Sequence, residues 1–336
     1  MAIRIGILSC AHLHAEAYQA NLKRIVGVDL VGFSHENPDE AHQFSEKHGV
    51  RWFPRHQDLL AERLDGVLIC AENANHLKLV EQAAAAGCAI LCEKPIATSV
   101  SEAIEIRRIC ETNGVRFMTA FPMRFAASAQ VVRGMLRNGE LGEILGINGM
   151  NHSEIPDSHR AWFTDKKLAG GGAVMDHTVH LADLFRWYFE AEALEVYAEL
   201  SNPLRRNDLE VETAGLLLLT FSNGVHASID CSWSRPARYP RWGHLKMEIL
   251  GENGAIVMDA FAQYVTLYSP EAMRNPSWIG FGPDPNQAMV EEFVTSIREN
   301  RDPSISWNDG YQAMRVALAA YESAAVCQPV TIEHPS

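Results

Sequence analysis

The first third of the chain alternates short, uniformly apolar runs with segments of helical periodicity. The apolar runs occupy residues 3–8, 28–33, 50–53, 67–70, 89–92 and 115–120. A strand that is apolar on both faces is typical of a parallel sheet covered by helices on both sides. Repeated strand–helix units therefore predict a doubly wound parallel α/β sheet, which binds its ligand at the carboxyl ends of the strands.

The pattern changes after residue 122, where strand-like segments begin to follow one another. Asn223-Gly224 and Asn253-Gly254 are typical of hairpin turns between two pairs of these segments. The second part is therefore predicted to be an α+β domain with a largely antiparallel sheet. We expect one domain over residues 1–122 and another over 123–336, with a helix over about 309–326 that packs back on the first domain.

Composition restricts the partners and the location. The chain has 29 basic and 42 acidic side chains and a formal net charge of −13, so a polyanionic nucleic acid is not an expected partner. No apolar run approaches the roughly 20 residues that span a bilayer, and no membrane association is predicted. The seven cysteines are irregularly spaced and form no CxxC pair. This usage is typical of a reducing compartment and predicts a cytoplasmic protein.

The first strand–helix turn reads Ser9-Cys10-Ala11-His12-Leu13-His14. A dinucleotide site usually carries GxGxxG here, because the backbone must turn tightly and approach a pyrophosphate. Ser9, Ala11 and His14 stand at the three glycine positions, and His12 lies between them. The segment is a candidate pyrophosphate turn. An ordinary turn with two exposed histidines is the alternative.

The end of the second strand is a candidate site for the adenine ribose. Ser34 and His35 lie where a dinucleotide fold commonly places an acidic residue for the ribose hydroxyls, and Glu36 follows. A 2′-phosphate would be repelled by Glu36. The sequence therefore favours NAD, and NADP stays an alternative.

Two further segments carry residues suited to proton transfer. Lys94, in Glu93-Lys94-Pro95, ends a predicted parallel strand and can donate to a substrate oxygen. Asp176 and His180 follow three glycines and share one helix face. We expect Asp176 to orient His180 and to favour its protonated form, and His180 to act as general acid/base. A surface Lys–Glu pair and an Asp–His pair at a domain interface are the alternative interpretations, and a nearby Asp183 is interpreted as a cap or salt-bridge partner.

Four histidines raise the question of a metal site. His12, His14, His177 and His180 are possible ligands, but no cysteine or carboxylate completes a closed-site spacing and HExxH is absent. No metal is predicted.

These segments occur together in an order that resembles the glucose–fructose oxidoreductase / inositol dehydrogenase / MocA (Gfo/Idh/MocA) family, from Ile3 to about Val326. The residues that carry the resemblance are the first strand and turn, Asn73-Ala74-Asn75-His76, Glu93-Lys94-Pro95, Arg124-Phe125, the segment 139–144, and Gly-Gly-Gly with Asp176 and His180. The departures are the lost glycines of the first turn, Glu72 before Asn73, and His177-Thr178 ahead of Val179.

The resemblance implies a Rossmann domain followed by a domain with an open sheet, which often forms a dimer or tetramer interface in such proteins. It implies catalytic roles for Lys94, Asp176 and His180. It places Asn73, His76, Glu93 and Arg124 near the cofactor or the domain junction. The substrates it implies are sugars, polyols and their derivatives.

The sequence thus predicts an NAD(P)-dependent oxidoreductase acting on a hydroxyl-bearing carbon of a small molecule. His152, Arg160, Trp162 and His177 are further candidates for the substrate pocket, because sugar binding favours fixed donors and an aromatic face. A non-catalytic NAD(P)-binding sensor, and a hydrolase or epimerase that recycles tightly bound NAD, are the alternative functions.

Overall fold

The computed structural model describes residues 2–158, 160–204, 208–268 and 277–334. Six parallel strands form the first sheet: β1 Ile3–Leu8, β2 Val28–Ser34, β3 Trp52–Phe53, β4 Gly66–Ile69, β5 Ala89–Cys92 and β6 Phe117–Thr119. Their order, β3-β2-β1-β4-β5-β6, is that of the doubly wound dinucleotide-binding fold. The predicted Rossmann domain is confirmed.

Helices connect these strands and cover the sheet. They are α1 His14–Arg24, α2 Pro38–His48, α3 His56–Leu60, α4 His76–Ala85 and α5 Val100–Asn113. Helix α5 begins where the Ser99 side chain accepts a hydrogen bond from the Glu102 backbone, and it ends at Gly114 in the left-handed conformation. A glycine adopts that conformation without a Cβ penalty, which is why the helix stops there.

The second sheet contains seven strands and one parallel pair. Its strands are β7 Ile144–Ser153, β8 Ala193–Ser201, β9 Ala214–Phe221, β10 His226–Ser232, β11 Gly243–Gly251, β12 Gly254–Asp259 and β15 Val330–Thr331. The order is β12-β11-β7-β10-β9-β8-β15, and only β7 and β10 run parallel. Both predicted hairpins, β9–β10 and β11–β12, are confirmed. A separate two-stranded sheet pairs β13 Tyr264–Leu267 with β14 Ser277–Gly280.

The other α-helices of the described residues are α6 Ala127–Arg137, α7 Lys166–Ala169, α8 Ala173–Phe189, α9 Pro285–Glu299 and α10 Trp307–Val326. Helix α8 lies against the inner face of the sheet, and α10 packs mainly on α8 and β8. The start of α10 also reaches the first domain, where the Trp307 indole donates to the Ala103 carbonyl.

Helix α9 is the element that lies along the first domain. It packs on α1, and the Asn21 amide donates to the Asp284 carboxylate at its N-terminal end over 2.9 Å. Side chains of Phe293 and Ile297 lie close above Gly66 in β4, where a Cβ would meet them. Within the described ranges, no helix is long and apolar enough to cross a membrane.

Candidate active site

A tight turn at the start of α8 fixes the first pair of site residues. The Glu212 carboxylate accepts from the backbone N–H groups of Gly172 and Val174 at 3.0 and 2.9 Å, and from the Tyr321 hydroxyl at 2.7 Å. A Cβ on Gly171 would lie 2.0 Å from the Tyr321 oxygen, and one on Gly172 would lie 2.0 Å from the Glu212 carbonyl oxygen. The glycines are therefore required by close packing at the helix start.

Helix α8 brings Asp176 to the lysine that follows β5. Lys94 Nζ donates to Asp176 Oδ1 at 2.6 Å and to the Asp176 carbonyl oxygen at 3.2 Å. Burial alone would raise the pKa of Asp176, but Lys94 and His177 outweigh it and hold that pKa well below its usual range. The pair lines a cavity of about 400 Å³, and His180, His12 and His14 line it too.

Asp176 does not hold His180 in the way the helix spacing suggested. Its second oxygen accepts from the Trp233 indole at 3.1 Å and lies 3.2 Å from His177 Nε2. The spacing i, i+4 puts Asp176 and His180 on one face, but the carboxylate turns toward three other donors. The predicted Asp176–His180 pair is corrected to an Asp176–Lys94 pair supported by Trp233 and His177.

His180 is a half-buried side chain of the cavity with a lowered pKa. Burial, reinforced by the Lys94 ammonium, holds the pKa of His180 well below its usual range. Asp176 does favour the protonated form, as predicted, but burial and Lys94 outweigh it. Among the described residues, His180 Nδ1 has no hydrogen-bond partner. A neutral imidazole in a cavity can accept a proton from a hydroxyl.

The first turn keeps the backbone shape of a glycine-rich turn without its glycines. Ser9 adopts a φ of 68°, the left-handed conformation that usually favours glycine. Its hydroxyl accepts from the Ala11 backbone at 3.1 Å and contacts His35 Nδ1 at 3.2 Å. Hydrogen bonds thus stabilise the strained residue.

The turn also creates a cluster of two histidines and a carboxylate. Nitrogens of His12 and His14 and a Glu93 oxygen lie within 4.8 Å of one another, a set that could hold a metal ion. The His14 backbone N–H, however, donates to His12 Nδ1 at 3.2 Å, which leaves the proton of the neutral ring on Nε2. His14 Nδ1 and the Tyr18 hydroxyl both donate to Glu93. Nδ1 of each ring and Oε1 of Glu93 are thus engaged in hydrogen bonds within the protein.

A smaller polar cavity of about 220 Å³ lies at the ends of β1 and β2. Ser9, His35, Glu36 and Glu40 contribute to its lining. His35 Nε2 lies 3.1 Å from the Glu40 carboxylate. The acidic group at the end of β2 is therefore Glu40, which is hydrogen-bonded to His35. Ser34 is fully buried against His56 and does not line the cavity, which corrects its expected contact with a ligand.

Arg160 and Trp162 lie at the first turn and do not line the 400 Å³ cavity, contrary to expectation. Arg160 Nε and the Trp162 indole N–H each donate to the Ala11 carbonyl oxygen at 3.0 Å. The neighbouring Phe163 ring lines the cavity instead. Which of these side chains lines the cavity depends on how residues 161–164 pack on the first turn. That packing is long-range, so no local sequence pattern indicates it.

His152 points away from the predicted pocket. It lies in β7 between Asn151 and Ser153, which both line the cavity, and its ring bonds Asp230 at 2.9 Å. Successive side chains of a strand face opposite sides. The alternation of β7 could have revealed that His152 faces the other side from its neighbours.

Three residues assigned to the cofactor or the domain junction have distinct positions. Asn73 donates to the Ala169 carbonyl, while its Oδ1 is buried without a partner among the described residues. His76 contacts the Pro95 carbonyl at 3.0 Å and supports the loop that carries Lys94. Arg124 does not line the described cavities. It makes ion pairs with Asp183 and Asp309, which corrects a cofactor role for Arg124 and confirms the salt-bridge interpretation of Asp183.

Sequence reasoning missed several residues of the site. Trp233 is fully buried, and its indole holds Asp176. Arg241 and His244 line the 400 Å³ cavity from the loop before β11 and from β11 itself. The sequence signal for Trp233 is a tryptophan directly after a strand. The other two carry no local signal, because only sheet pairing brings β11 beside β7.

A dinucleotide-type sheet and an adjoining cavity with a Lys–Asp pair and a histidine are the features expected of a pyridine-nucleotide oxidoreductase. The family descriptions agree. "Oxidoreductase family, NAD-binding Rossmann fold" matches residues 3–121, and "GFO/IDH/MocA C-terminal domain" matches residues 129–257. The chain belongs to the GFO/IDH/MocA family of NAD-binding oxidoreductases.

The relatives cover nearly the whole chain. The uncharacterized oxidoreductase YrbE of Bacillus subtilis is 28% identical over 98% of this chain and 96% of its own length. Myo-inositol 2-dehydrogenase of Thermotoga maritima is 25% identical over 98% of this chain and 99% of its own. The crystal structure of GenD2 from gentamicin A biosynthesis, in complex with NAD, shares the fold with a TM-score of 0.89 at 22% identity, covering 99% and 97% of the chains.

Proposed function

We propose that this protein oxidises a hydroxyl-bearing carbon of a sugar or polyol with NAD, or reduces the corresponding carbonyl, in the 400 Å³ cavity. The Lys94–Asp176 contact of 2.6 Å carries the proposal, because it joins the two domains beside His180 and next to the dinucleotide turn. The named activities of the relatives, such as the myo-inositol 2-dehydrogenase of Thermotoga maritima, support this substrate class.

The residues present fit NAD. Ser9 supplies the left-handed turn, and His12 Nε2 and Asn73 Oδ1 are buried polar atoms without partners in the described chain, which a bound ligand would satisfy. Glu36, Glu40 and Glu72 line the smaller cavity together with Lys78, and this excess of acidic side chains favours an unphosphorylated ribose over a 2′-phosphate. When bound, NAD supplies the hydride-accepting group.

Lys94, Asp176 and His180 have separate roles in binding the substrate oxygen and transferring its proton. The Lys94 ammonium has three N–H donors, of which Asp176 takes two, so the third is available to a substrate oxygen. Neutral His180 accepts the hydroxyl proton as the carbon is oxidised. Asp176, held by Trp233 and His177, fixes the position of the ammonium and balances its charge.

We also propose that the protein forms a homo-oligomer in the cytoplasm. Leu216 and Leu218 are 61% and 60% exposed on the outer face of the second sheet, where a neighbouring copy would cover them. All seven cysteines are free thiols, and six are buried, which suits a reducing compartment. Light scattering of the Leu218→Asp variant tests the assembly, since a charge on this face should shift the mass toward the monomer.

The first experiment titrates the protein with NADH and NADPH and follows tryptophan emission. It is followed by a turnover screen of sugars and polyols with wild type, Lys94→Met and Lys47→Met. We expect saturable NADH binding by all three proteins and a turnover loss of about 10²- to 10⁴-fold for Lys94→Met only. Lys47 is the matched control because it is an exposed lysine paired with Glu16.

Each other result has a defined meaning. Failure of folded, cofactor-free protein to bind either nucleotide would remove the dinucleotide site. Binding without turnover would favour the sensor hypothesis. Product formation without net change in NADH would favour a hydrolase or epimerase. Wild-type turnover by Lys94→Met would contradict the proposed mechanism.

A further inference from the structure

A second cavity adjoins the catalytic one. It has a volume of about 780 Å³ and lies between α6, β12 and the β13–β14 hairpin. We call it the outer groove. Arg241 and Phe261 line both the 400 Å³ cavity and the outer groove. The two cavities therefore meet at these two side chains.

Arg241 is a fixed polar group at this junction. Its guanidinium donates to the Phe261 carbonyl at 2.6 Å, lies 3.2 Å from the Asp259 carboxylate and sits 5.2 Å from the Trp278 ring centroid. Its Nε is buried and has no partner among the described residues. An oxygen of a ligand that passes the junction would satisfy this donor.

The charges of both cavities favour a neutral ligand. Lys94 is paired with Asp176, and Arg241 is paired with Asp259. Each of these cations is thus balanced by a carboxylate at hydrogen-bond distance. Neither pair therefore offers an uncompensated positive charge to the phosphate or carboxylate of an anionic sugar.

The walls of the outer groove are apolar and aromatic. Val131, Val257 and Phe281 line it and are 62%, 74% and 59% exposed, and the stacked rings of Tyr264 and Trp278 complete the wall. Large exposed apolar side chains that border a cavity are typical of binding sites. Aromatic faces also suit the stacking of a sugar or aryl ring.

We propose that the outer groove is a subsite for the non-reacting part of a neutral glycoside, whose reacting sugar ring lies in the catalytic cavity. The inference rests on the proposed oxidoreductase function and specifies its substrate class. Arg241 Nε binds an oxygen near the glycosidic link, and the aromatic wall contacts the aglycone. Binding energy from this remote part then assists the reaction at the sugar ring.

The test compares phenyl with methyl glycosides of glucose, galactose and mannose. Turnover is followed by NADH formation, and binding to the NADH-loaded protein is followed by calorimetry. We expect the phenyl compound to have about a tenfold higher kcat/KM and affinity than the methyl compound of the same sugar. Phe281→Ala should lower that ratio toward one, and Ala127→Trp, which fills the groove, should lower it as well. Tyr268→Ala, an exposed aromatic residue that does not line the groove, should leave it unchanged.

Equal or absent binding of phenyl and methyl glycosides for all three sugars would overturn the subsite, while NADH binding and turnover of free polyols would leave the oxidoreductase function intact. Failure of NADH binding would instead defeat the proposed function. A change of oligomer mass in Phe281→Ala, without a change of the phenyl-to-methyl ratio, would assign the groove to a second copy of the chain and overturn the proposal.

Discussion

The two turns that build the site solve the same problem in opposite ways. The first turn, residues 9–14, lacks glycine, and Ser9 holds a φ of 68° with hydrogen bonds from its own hydroxyl. The turn before α8 has three glycines, and Gly171 and Gly172 are needed because Tyr321 and Glu212 press on the backbone. The glycines before α8 are therefore explained by close packing against the backbone. The first turn shows that a left-handed residue can be kept without glycine.

The largest expected effect tests the crowded turn. Gly172→Ala places a Cβ 2.0 Å from the Glu212 carbonyl oxygen. This oxygen belongs to the backbone, so relieving the clash requires a backbone shift. We expect the free energy of unfolding to fall by about 3 kcal/mol. Gly134→Ala in α6 is the matched control, because nothing lies within 4 Å of its Cβ, and a helix interior gains up to about 1 kcal/mol from this change. Urea unfolding measures both, and an equal response would refute the crowding argument.

The second effect is the pH dependence of the first turn. Burial lowers the pKa of His12 to about 3 from 6.5, so between these values the unfolded chain binds more protons than the folded one. Stability contributed by His12 is therefore lost as pH falls below 6.5, by about 2 kcal/mol down to pH 5. Urea unfolding across this range should show a flatter profile for His12→Gln, and an unchanged profile would contradict it.

The turn before α8 should respond to pH with the opposite sign. Burial raises the pKa of Glu212 above its ordinary value of 4.5, although hydrogen bonds from Tyr321 and the backbone oppose the shift. The folded chain then binds more protons above pH 4.5, and this contribution is lost as pH rises through the folded pKa. Glu212→Gln keeps the acceptor oxygen and should remove this decline, so the variant should gain free energy of unfolding relative to wild type as the pH rises. A lower free energy of unfolding for Glu212→Gln than for wild type at neutral pH, measured by urea unfolding, would contradict this prediction.

Tyr321→Phe tests the hydroxyl that joins Glu212 to the start of α8. The oxygen donates to Glu212 at 2.7 Å and accepts from Gly172 and Met175 at 3.2 Å. We expect a loss of about 1 kcal/mol and faster hydrogen exchange at these two amides. Tyr311→Phe, whose ring stacks on Trp307, is the control. Unchanged exchange at Gly172 would show that Glu212 suffices alone.

The smallest effect separates strain from hydrogen bonding at Ser9. Ser9→Ala keeps the left-handed φ and loses the bond to Ala11. Ser9→Gly loses the same bond but relieves about 1 kcal/mol of strain. Unfolding free energies should rank wild type close to Ser9→Gly, with Ser9→Ala about 1 kcal/mol lower. Equal values for the two variants would mean that the turn carries no strain.

Local patterns in the sequence predicted the fold well. The apolar runs located β1 and β5 at their observed bounds, and the two Asn-Gly pairs located both hairpins. These predictions succeed because strand burial and turn geometry are properties of a few neighbouring residues. The strand pattern placed Lys94 at the ligand-binding edge, the helix spacing put Asp176 and His180 on one face, and the family resemblance implied that the three act together. All three line one cavity.

The partners of those residues escaped prediction. Asp176 bonds Trp233, which lies 57 positions along the chain, and Ala11 bonds Trp162 across 151 positions. The first pairing depends on how α8 packs on the second sheet, and the second on how the two domains pack, so neither is visible in a local periodicity. His152 is the exception, because strand alternation in β7 already separated it from its neighbours.

The sequence by itself determined the succession of the six strands of the first domain, the acidic net charge of the chain, and the residue types available for proton transfer. Tertiary structure alone decided that Asp176 faces Lys94 and not His180, that burial and Lys94 lower the pKa of His180, and that Arg241 and Phe261 border both the catalytic cavity and the outer groove. The reason is physical: local structure follows from near neighbours, whereas burial, charge pairing and cavity shape depend on groups that only the folded chain brings together.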